Sequence, residues 1–335
     1  MIALENKITN RIREHILYVL EHDSSQAKVK DHLDSIHSIF KELTNISGFD
    51  YTLEHLAAVS SSKGKALGLN YAAQCLLDYN RTSTFIKGIV LAIRNKQKSS
   101  PNTPIQLLYV GCGPYATLAT LIAPLFDPED IQFTLLEINQ LSLNTALKLI
   151  NDLSLEAYFT KSYCEDAVTY QIPEANQFHI IISETLDALL YRESYVPIVF
   201  NLISQCHKTT TIIPHNVIVT LSLSAEESTS ELNKETFVDT IFNVREALKR
   251  LHSLPSQIEA KTIYFNSYSM ADYSKVILDT KVHVYKELWL ERHESSLTLP
   301  LTFTLEQPFT YNTMHYHYQI DPNIELKFAL ESYIK

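Results

Sequence analysis

The sequence predicts an α/β protein whose central part is a doubly wound parallel sheet, and three observations support this fold class. Residues 106–110 form a largely apolar run that leads directly into a Gly-Cys-Gly turn. Similar buried runs span residues 131–137 and 177–183, with segments of helix length between them. Apolar runs that alternate with helices are typical of strands buried in a parallel sheet.

The elements of this central part follow in a regular order. We predict strands and helices alternating over residues 106–110, about 116–125, 131–137, about 140–152, near 156–160 and 177–183. In an open parallel sheet, ligands bind at the carboxyl ends of the strands. The residues that follow each predicted strand are therefore the candidates for a Rossmann-like binding site.

The part of the chain before the sheet is predicted to be helical. Apolar residues recur at helical spacing over residues 1–60, with a break at residues 23–25. The polar stretch at residues 61–65 is predicted to be a flexible joint. We assign residues 1–65 to an N-terminal helical region and residues 66–208 to the Rossmann-like domain.

The pattern of residue types changes in the last third of the chain. Runs rich in β-branched and aromatic residues, several alternating with period two, are typical of antiparallel strands. We predict such strands at residues 209–213, 216–223, 263–268, 276–285, 297–305 and 314–320. A helical insertion is predicted over residues 233–252. Residues 209–335 are assigned to a barrel-like antiparallel β domain for substrate binding or dimerisation.

Composition and charge exclude several function classes. The net charge of −10 argues against a nucleic-acid groove, which needs a basic face. The four cysteines show no Cys-x-x-Cys spacing, so neither a zinc site nor a disulfide framework is indicated. We find no signal peptide at the start of the sequence and no run approaching the roughly 18 apolar residues of a membrane span. We therefore expect a cytoplasmic protein that holds no metal and binds neither nucleic acid nor membrane.

Polar residues at three predicted strand ends indicate a nucleoside site. Gly111 and Gly113 follow the first strand, Glu137 ends the second, and Glu165 and Asp166 follow the third. Glycines permit a close backbone approach, and an acid after the next strand is typical of ribose recognition. An alanine replaces the third glycine of the dinucleotide motif, and no phosphate-binding Gly-Lys-Ser/Thr occurs. The set favours a phosphate-free nucleoside, although a plain tight turn is the alternative for the glycines.

At these positions the sequence resembles a known family. The segments VGCGP and LLEIN are similar to those of class I S-adenosylmethionine-dependent methyltransferases. The segment SETLDALLYRES, residues 183–194, resembles the double-glutamate loop of the protein arginine N-methyltransferases. DYNRT at residues 78–82 and IIPHN at residues 212–216 also resemble segments of that family. The resemblance implies S-adenosylmethionine as cofactor and a guanidinium as methyl acceptor.

The resemblance assigns the catalytic role to Glu184 and Glu193. Two carboxylates can grip a guanidinium through charge-assisted hydrogen bonds and direct one nitrogen toward the methyl group. A guanidinium needs such help because it is delocalised and remains protonated. The alternatives are that Glu184 caps a helix and that Glu193 is a solvated helix acid.

The resemblance also assigns residues to the cofactor. Arg81 would pair with the carboxylate of S-adenosylmethionine, and Glu137 would accept from both ribose hydroxyls. Glu165 matches the adenine contact better than Asp166 does. The glycine loop would approach the cofactor through Gly111, Cys112 and Gly113. A surface ion pair is the alternative for Arg81, and a helix N-cap is the alternative for Glu137.

One departure from the family concerns the substrate. No Thr-His-Trp triplet occurs in the sequence, whereas the protein-modifying family carries such a loop in its β domain. His293, His315 and His317 are the candidate replacements for its histidine. We therefore expect a small guanidino acceptor, foremost free L-arginine, as in the arginine methyltransferases of natural product biosynthesis, and possible homodimers.

Two alternatives stay open at this level. The protein could methylate another small acceptor or a protein arginine with the same fold. It could also be a non-catalytic protein that binds S-adenosylmethionine or a partner. Cofactor binding separates the enzymes from a mere interaction protein, and acceptor trials separate the enzymes from one another.

Overall fold

The computed structural model describes residues 2–21, 26–101, 103–225, 235–251, 253–306 and 308–332. Within these ranges the α-helices are α1 (Ile2–Glu21), α2 (Gln26–Thr44), α3 (Leu53–Leu56), α4 (Leu69–Gln74), α5 (Tyr79–Ser99), α6 (Thr117–Ile122), α7 (Gln140–Asp152), α8 (Tyr195–Gln205) and α9 (Val244–Arg250). None of the helices in the described ranges combines the length and apolarity that crossing a membrane requires.

The strands are short, and most of them lie in the second half of the chain. They are β1 (Val59–Ser60), β2 (Lys65–Ala66), β3 (Ile105–Val110), β4 (Ile131–Glu137), β5 (Phe159–Cys164), β6 (Ile180–Ser183), β7 (Thr211–Ile213), β8 (Asn216–Ser224), β9 (Glu235–Asn243), β10 (Gln257–Tyr264), β11 (Lys275–Tyr285), β12 (Leu288–Leu290), β13 (Leu301–Thr304), β14 (Thr313–Gln319) and β15 (Glu325–Glu331). β1 and β2 form a separate hairpin, β3 to β7 form the central sheet, and β8 to β15 form the β half.

The two N-terminal helices pack on each other through one apolar face each. Ile12, Ile16 and Val19 of α1 and Leu33 of α2 are fully buried, at the helical spacing seen in the sequence. α2 also contacts α5 and α7, so this region packs onto the helices of the central sheet. The predicted N-terminal helices are confirmed. The break predicted at residues 23–25 lies outside the described residues. α1 ends at Glu21 and α2 begins at Gln26.

The stretch at residues 61–65 is not the flexible joint that the sequence predicted but the turn of a hairpin. β1 and β2 pair in antiparallel register on either side of it. Gly64 has a φ of 85°, a conformation that favours glycine. The Asp166 carboxylate accepts hydrogen bonds from the Ser61 hydroxyl and from the Ser62 backbone N–H, the latter at 2.6 Å. Because this partner is distant in sequence, the local pattern gives no sign of the hairpin.

Five parallel strands form the central sheet in the order β5-β4-β3-β6-β7. β3 lies in the middle, and both Leu107 and Leu108 are fully buried although they point to opposite faces. α6, α7 and α8 lie in the connections from β3 to β4, from β4 to β5 and from β6 to β7. The predicted Rossmann-like α/β fold is confirmed.

Three predicted strand positions in this region need correction. β5 begins at Phe159, because residues 156–158 form a 3-10 turn instead of a strand. β6 begins at Ile180, after a 3-10 turn at residues 175–177. β7 pairs in parallel with β6, so it completes the central sheet instead of opening the β half. β5 is an edge strand with several exposed side chains, which explains why no apolar run marks its bounds.

The β half consists of two antiparallel sheets. In the first, β8 lies between β9 and β11, and β11 also pairs with β12 and β13. The second has the order β10-β14-β15. The rings of Phe242 on β9 and Tyr318 on β14 stack at a centroid distance of 4.7 Å, so the two sheets face each other across an apolar core. The predicted antiparallel domain is confirmed.

The helix predicted over residues 233–252 is wrong over most of its length. Residues 235–243 form β9, and only Val244–Arg250 is helical. Residues 233, 234 and 252 lie outside the described part. Long-range pairing with β8 overrides the helical spacing of the apolar residues, since strand preference depends strongly on neighbours.

Other strands of the β half also differ from prediction. β10 covers Gln257–Tyr264, and a 3-10 turn occupies the second half of the predicted strand at residues 263–268. β13 covers only Leu301–Thr304 of the predicted 297–305, because a capped 3-10 turn precedes it. β15 was not predicted at all; most of its side chains are exposed, so it lacks the alternation of a half-buried strand.

Candidate active site

The carboxyl ends of β3, β4, β5 and β6 meet at one edge of the central sheet, and a cavity lies there. All nine residues predicted to bind the cofactor or to act in catalysis line this cavity: Arg81, Gly111, Cys112, Gly113, Glu137, Glu165, Asp166, Glu184 and Glu193. They are distant in sequence but converge because parallel strands end at a common edge. We call this space the nucleoside cavity.

The loop after β3 presents backbone to the nucleoside cavity. Gly111 and Gly113 have φ values of 67° and 64°, a region that residues with a Cβ rarely adopt. A Cβ on Gly111 would collide with the side chain of Thr185. Cys112 is buried between the glycines, and burial raises the pKa of its thiol well above the usual value. The loop therefore offers close backbone approach beside an uncharged thiol.

Glu137 is held by backbone donors with both oxygens directed at the cavity end of β4. Gly113 N–H donates to Oε2 and Asn139 N–H donates to Oε1, each at 2.9 Å. Burial raises the pKa of Glu137, and these hydrogen bonds oppose the rise. Asn139, not Glu137, caps α7, since its Oδ1 accepts from Leu141 N–H at 3.0 Å. The alternative that Glu137 is a helix cap is therefore wrong, and its oxygens retain lone pairs for a ligand.

The two acids after β5 have different surroundings. Asp166 accepts hydrogen bonds from Ser61, Ser62 and the Val168 backbone N–H. Burial would raise the pKa of Asp166, but these bonds, foremost those from Ser62, lower it overall. Glu165 is exposed at the rim of the cavity. Asp166 thus anchors the hairpin, and Glu165 is the acid presented to a ligand.

Arg81 and Glu184 form a buried ion pair across the cavity. Arg81 Nε donates to Glu184 Oε1 at 2.5 Å, and the two side chains are only 6% and 11% exposed. Arg81 belongs to the first turn of α5, where its backbone N–H donates to the capping residue Asp78. Burial raises the pKa of Glu184, and the charge of Arg81 opposes the rise. The alternatives of a surface ion pair and of a helix-capping Glu184 are both wrong, because the pair is buried and no helix begins at Glu184.

Asp187 closes the loop that runs from Glu184 to Glu193, and sequence reasoning did not assign it a role. Its Oδ1 accepts from the backbone N–H groups of Arg192 and Glu193 at 3.3 and 3.4 Å, and its Oδ2 accepts from Arg192 Nε at 3.2 Å. Leu189 and Leu190 have positive φ values, so the chain reverses here. The reversal returns Glu193 to the cavity that Glu184 also lines.

Glu193 lies between β6 and α8 rather than on a helix, and it is partly buried, so it is not a solvated helix acid. Burial raises its pKa to about 8, Asp187 and Glu184 add to the rise, and Arg81 opposes it. A carboxylate in this state gains most from a cationic partner, because the partner removes the cost of burying its charge.

A second and larger space, which we call the acceptor cleft, opens beside the nucleoside cavity. Its volume is about 1230 Å³, and α5, the 186–193 loop, residues 293–301 and β15 line it. The cleft and the cavity share Leu67, Cys75, Arg81 and Glu193 as lining residues. The two spaces therefore meet beside Arg81 and Glu193.

The hairpin forms the outer wall of the nucleoside cavity and was missed as a site element. Ser194 Oγ donates to Lys63 O at 2.5 Å, and Lys65 N–H donates to Arg192 O at 3.2 Å. The hairpin is thus bonded to the glutamate loop as well as to Asp166. The free volume behind it is about 90 Å³, below the roughly 300 Å³ of a small-ligand pocket. A nucleoside therefore needs some part of this lining to move.

Of the three histidines considered as replacements for the missing triplet, only His293 lines the acceptor cleft among the described residues. His315 lies on β14 in the second sheet, where it bonds Thr262 Oγ1 at 2.7 Å and Glu331 Oε2 at 3.1 Å. His317 lies on the same strand. Within the described ranges, no group of three or more His, Cys, Asp and Glu side chains is arranged to hold a metal ion.

The chemistry of the cavity lining suits a nucleoside that carries a positive charge and no phosphate. Five acids line the cavity against two cations, Arg81 and Lys65. This balance repels a polyphosphate and attracts a cation such as a sulfonium. Glu137 supplies acceptors for a diol, and Arg81 supplies N–H groups for a carboxylate. These are the groups of S-adenosylmethionine.

Comparisons with known proteins show similarity at the level of structure alone. No protein-family model matches the sequence, and no curated protein matches it. Protein arginine methyltransferase 10 of Arabidopsis thaliana, solved in an open conformation, is 12% identical with a TM-score of 0.50, covering 77% of this chain and 96% of its own. PRMT6 is also 12% identical with a TM-score of 0.50, covering 75% of this chain and 95% of its own.

The chain has the fold of the protein arginine methyltransferases. A third structure, the Trypanosoma brucei PRMT1 enzyme-prozyme heterotetrameric complex with AdoHcy, is 12% identical with a TM-score of 0.48, covering 78% of this chain and 93% of its own. At 12% identity the likeness concerns the path of the chain: a parallel sheet followed by an antiparallel β half. The assignment of function depends on the residues at the site.

Proposed function

We propose that this protein is an S-adenosylmethionine-dependent N-methyltransferase whose acceptor is a guanidino nitrogen of free L-arginine or a related small molecule. The observation that carries the proposal is that Glu184, Glu193 and Arg81 line the nucleoside cavity together, while Arg81 and Glu193 also line the acceptor cleft. A methyl donor on one side and a cation clamp on the other is the arrangement that guanidinium methylation requires.

The cofactor would be held by residues from three strand ends and from α5. Arg81 would bind its carboxylate with the guanidinium N–H groups that do not face Glu184, and Glu137 would accept from its ribose hydroxyls. Glu165 would accept from its adenine, while Gly111 and Gly113 allow the backbone to approach. When bound, S-adenosylmethionine supplies an electrophilic methyl group.

The two glutamates would bind the acceptor guanidinium from two sides. Glu184 is oriented by Arg81, so its position is set before the acceptor arrives. Glu193 has a raised pKa and no fixed cationic partner as strong as that of Glu184, so an arriving guanidinium stabilises its ionised form. The pair of carboxylates draws positive charge away from the remaining nitrogen and fixes its direction.

Glu193 would also receive the proton that leaves the methylated nitrogen. Proton transfer is most efficient when the pKa of the base lies near the working pH. Burial places the pKa of Glu193 at about 8. Glu184 is paired with Arg81, whose charge opposes the rise of its pKa, so the two carboxylates have different surroundings.

The size of the acceptor cleft favours a second candidate, in which the guanidinium belongs to an arginine of a peptide. A volume of about 1230 Å³ exceeds what free arginine fills. We further propose a cytoplasmic setting, a place in natural product biosynthesis and a homodimer. Light scattering of the purified protein tests the dimer.

Calorimetry with S-adenosylmethionine, followed by mass measurement of added methyl groups, tests the proposal. We expect binding of the cofactor and methylation of L-arginine or another small guanidine in preference to a glycine- and arginine-rich peptide. Methylation of the peptide alone would replace the first candidate by the second. Absence of cofactor binding would overturn both.

A further inference from the structure

The β half holds a partly open apolar cavity that is separate from the nucleoside cavity. Its volume is about 230 Å³, and it lies between strands of the two sheets. Ile241, Val276 and Phe303 line it from the first sheet, and Met314 and Leu330 line it from the second. Protein interiors are close-packed, and voids larger than a water molecule are few.

The polar groups in the lining are few and do not make the cavity suited to water. Thr304 and Tyr316 supply the only hydroxyl groups of the lining residues, and Tyr316 directs its hydroxyl away to Asp239 Oδ2, at 2.8 Å. A cavity holds ordered water only where two or more polar partners converge. An apolar cavity of about 150 Å³ is known to take benzene. The space is therefore large enough for an aromatic ring or a branched alkyl group.

The apolar cavity, which we call the chamber, is adjacent to the acceptor cleft. Leu278, Leu326 and Phe328 line both spaces. Arg81 and Glu193 line the same cleft. The cleft thus borders a carboxylate at Glu193 and the apolar chamber at Phe328.

The mouth of the chamber exposes apolar side chains to the cleft. Phe328 is 44% exposed, Leu299 is 53% exposed and Leu301 is 42% exposed, and all three line the acceptor cleft. Contiguous exposed apolar residues around a concave site are typical of ligand-binding surfaces. Their position along the cleft matches a ligand with one charged and one apolar end.

We propose that the acceptor carries an aromatic or branched alkyl group in addition to its guanidinium, and that this group enters the chamber past Phe328. The inference deepens the proposed function and rests on it for the orientation of the guanidinium. It makes the preferred acceptor an apolar-substituted guanidine rather than unmodified L-arginine. The carboxylates select the charge, and the chamber selects the substituent.

Equilibrium binding to the full chain tests the inference without relying on turnover. The probes are L-arginine and Nα-benzoyl-L-arginine, which share the guanidinium and differ by an apolar ring. We expect the benzoyl compound to bind at least about tenfold more tightly, in line with the discrimination that apolar pockets give. Benzamide, which lacks the guanidinium, should compete with the benzoyl compound but not with L-arginine.

Two variants and a matched control test whether the chamber causes the preference for the benzoyl compound over L-arginine. Phe328→Ala removes an exposed wall, and Thr304→Phe adds a ring to the chamber; each should reduce the preference to about threefold or less. Phe237→Ala is the control, because Phe237 is 60% exposed on β9 and lines none of the three spaces. It should leave the preference unchanged. Thermal unfolding verifies that each variant is folded.

The outcomes separate this inference from the proposed function. Equal affinity for the two probes, no binding of either, or a preference that survives in both variants would overturn the inference. A preference lost equally in Phe237→Ala would overturn it as well. A preference that follows the expected pattern without any methyl transfer would support the chamber and overturn the proposed function. Methylation of both probes, together with equal affinity for them, would support the proposed function and overturn the chamber.

Discussion

Arg81 Nε donates to Glu184 Oε1 at 2.5 Å in the lining of the nucleoside cavity, and Arg81 also lines the acceptor cleft. Because this ion pair is buried, each charge depends on the other for its stability. Arg81 Nη2 also donates to the backbone oxygen of Glu184, at 3.5 Å, and Arg81 lines both spaces. A single arginine therefore orients a candidate catalytic acid and serves a candidate cofactor contact.

We predict that Arg81→Lys weakens both functions. Lysine keeps the charge but loses the planar donor set that binds Glu184 and a carboxylate together. Affinity for S-adenosylmethionine should fall by about tenfold or more, and the free energy of unfolding should drop by roughly 1–3 kcal/mol. Calorimetry and denaturant titration measure the two effects. A variant with unchanged cofactor affinity would remove Arg81 from the cofactor site.

Asp187 is predicted to be a positioning residue for Glu193. In Asp187→Ala the backbone N–H groups of Arg192 and Glu193 lose their acceptor, so the loop no longer holds Glu193 in place. Turnover should fall by about tenfold to a hundredfold, while affinity for S-adenosylmethionine stays within about twofold. Arg192→Ala is the matched control, because its side chain is 68% exposed and its surface ion pair contributes little. An equal loss of turnover in both variants would argue against the assigned role.

The pH dependence of activity should report Glu193. Its pKa in the ligand-free protein is raised from 4.5 to about 8, so its ionised form gains population as the pH rises through that range. We expect kcat/KM for the acceptor to rise with pH, with an apparent pKa above 4.5 and no higher than about 8, and then to level off. A pH profile that stays flat over this range would contradict the role of Glu193.

Stability should show the opposite trend. A raised pKa means that the folded protein binds the proton more tightly, so the contribution of Glu193 to stability is present below pH 4.5 and is lost as the pH rises through about 8. Glu193→Gln removes the cost of ionising a buried carboxyl group at high pH. Its melting temperature should exceed that of the original protein by at least roughly 2 °C at high pH, and the gain should shrink toward pH 5.

Asp166 is predicted to hold the hairpin in place. Asp166→Ala removes the acceptor for Ser61 and for the backbone and hydroxyl of Ser62. Amide exchange at residues 59–66 should become faster by about tenfold or more, since local opening loses several hydrogen bonds. Glu165→Ala is the control, because Glu165 is exposed and should leave exchange in the hairpin unchanged. Unchanged exchange in both variants would contradict the anchoring role.

The strand-end residues of the nucleoside cavity could be predicted from a local pattern, whereas Arg81 and Glu193 are assigned by the resemblance to a known family. Gly111, Glu137 and Glu184 end apolar runs, and the parallel sheet brings such ends together whatever the details of packing. The order of strands and helices needed only the apolar periodicity. The likeness to solved structures agrees with that fold.

The remaining features depend on contacts between distant segments. The hairpin forms because Asp166 accepts its hydrogen bonds, and β9 forms because β8 pairs with residues 235–243 despite their helical spacing. The chamber in the β half is lined by strands from two sheets, so no stretch of sequence contains it. Asp187 belongs to the predicted double-glutamate loop, but its contacts with Arg192 and Glu193 depend on the chain reversal at Leu189 and Leu190.

Methyl transfer by Glu184→Gln at saturating S-adenosylmethionine tests the central claim most directly. Glutamine can still accept a hydrogen bond from Arg81 but carries no charge for a guanidinium. We predict that transfer to a guanidino acceptor, followed by its added mass, falls by about a hundredfold to a thousandfold while cofactor affinity stays within about threefold. Transfer at the original rate, or a loss explained by weaker cofactor binding, would contradict the claim that Glu184 binds the acceptor.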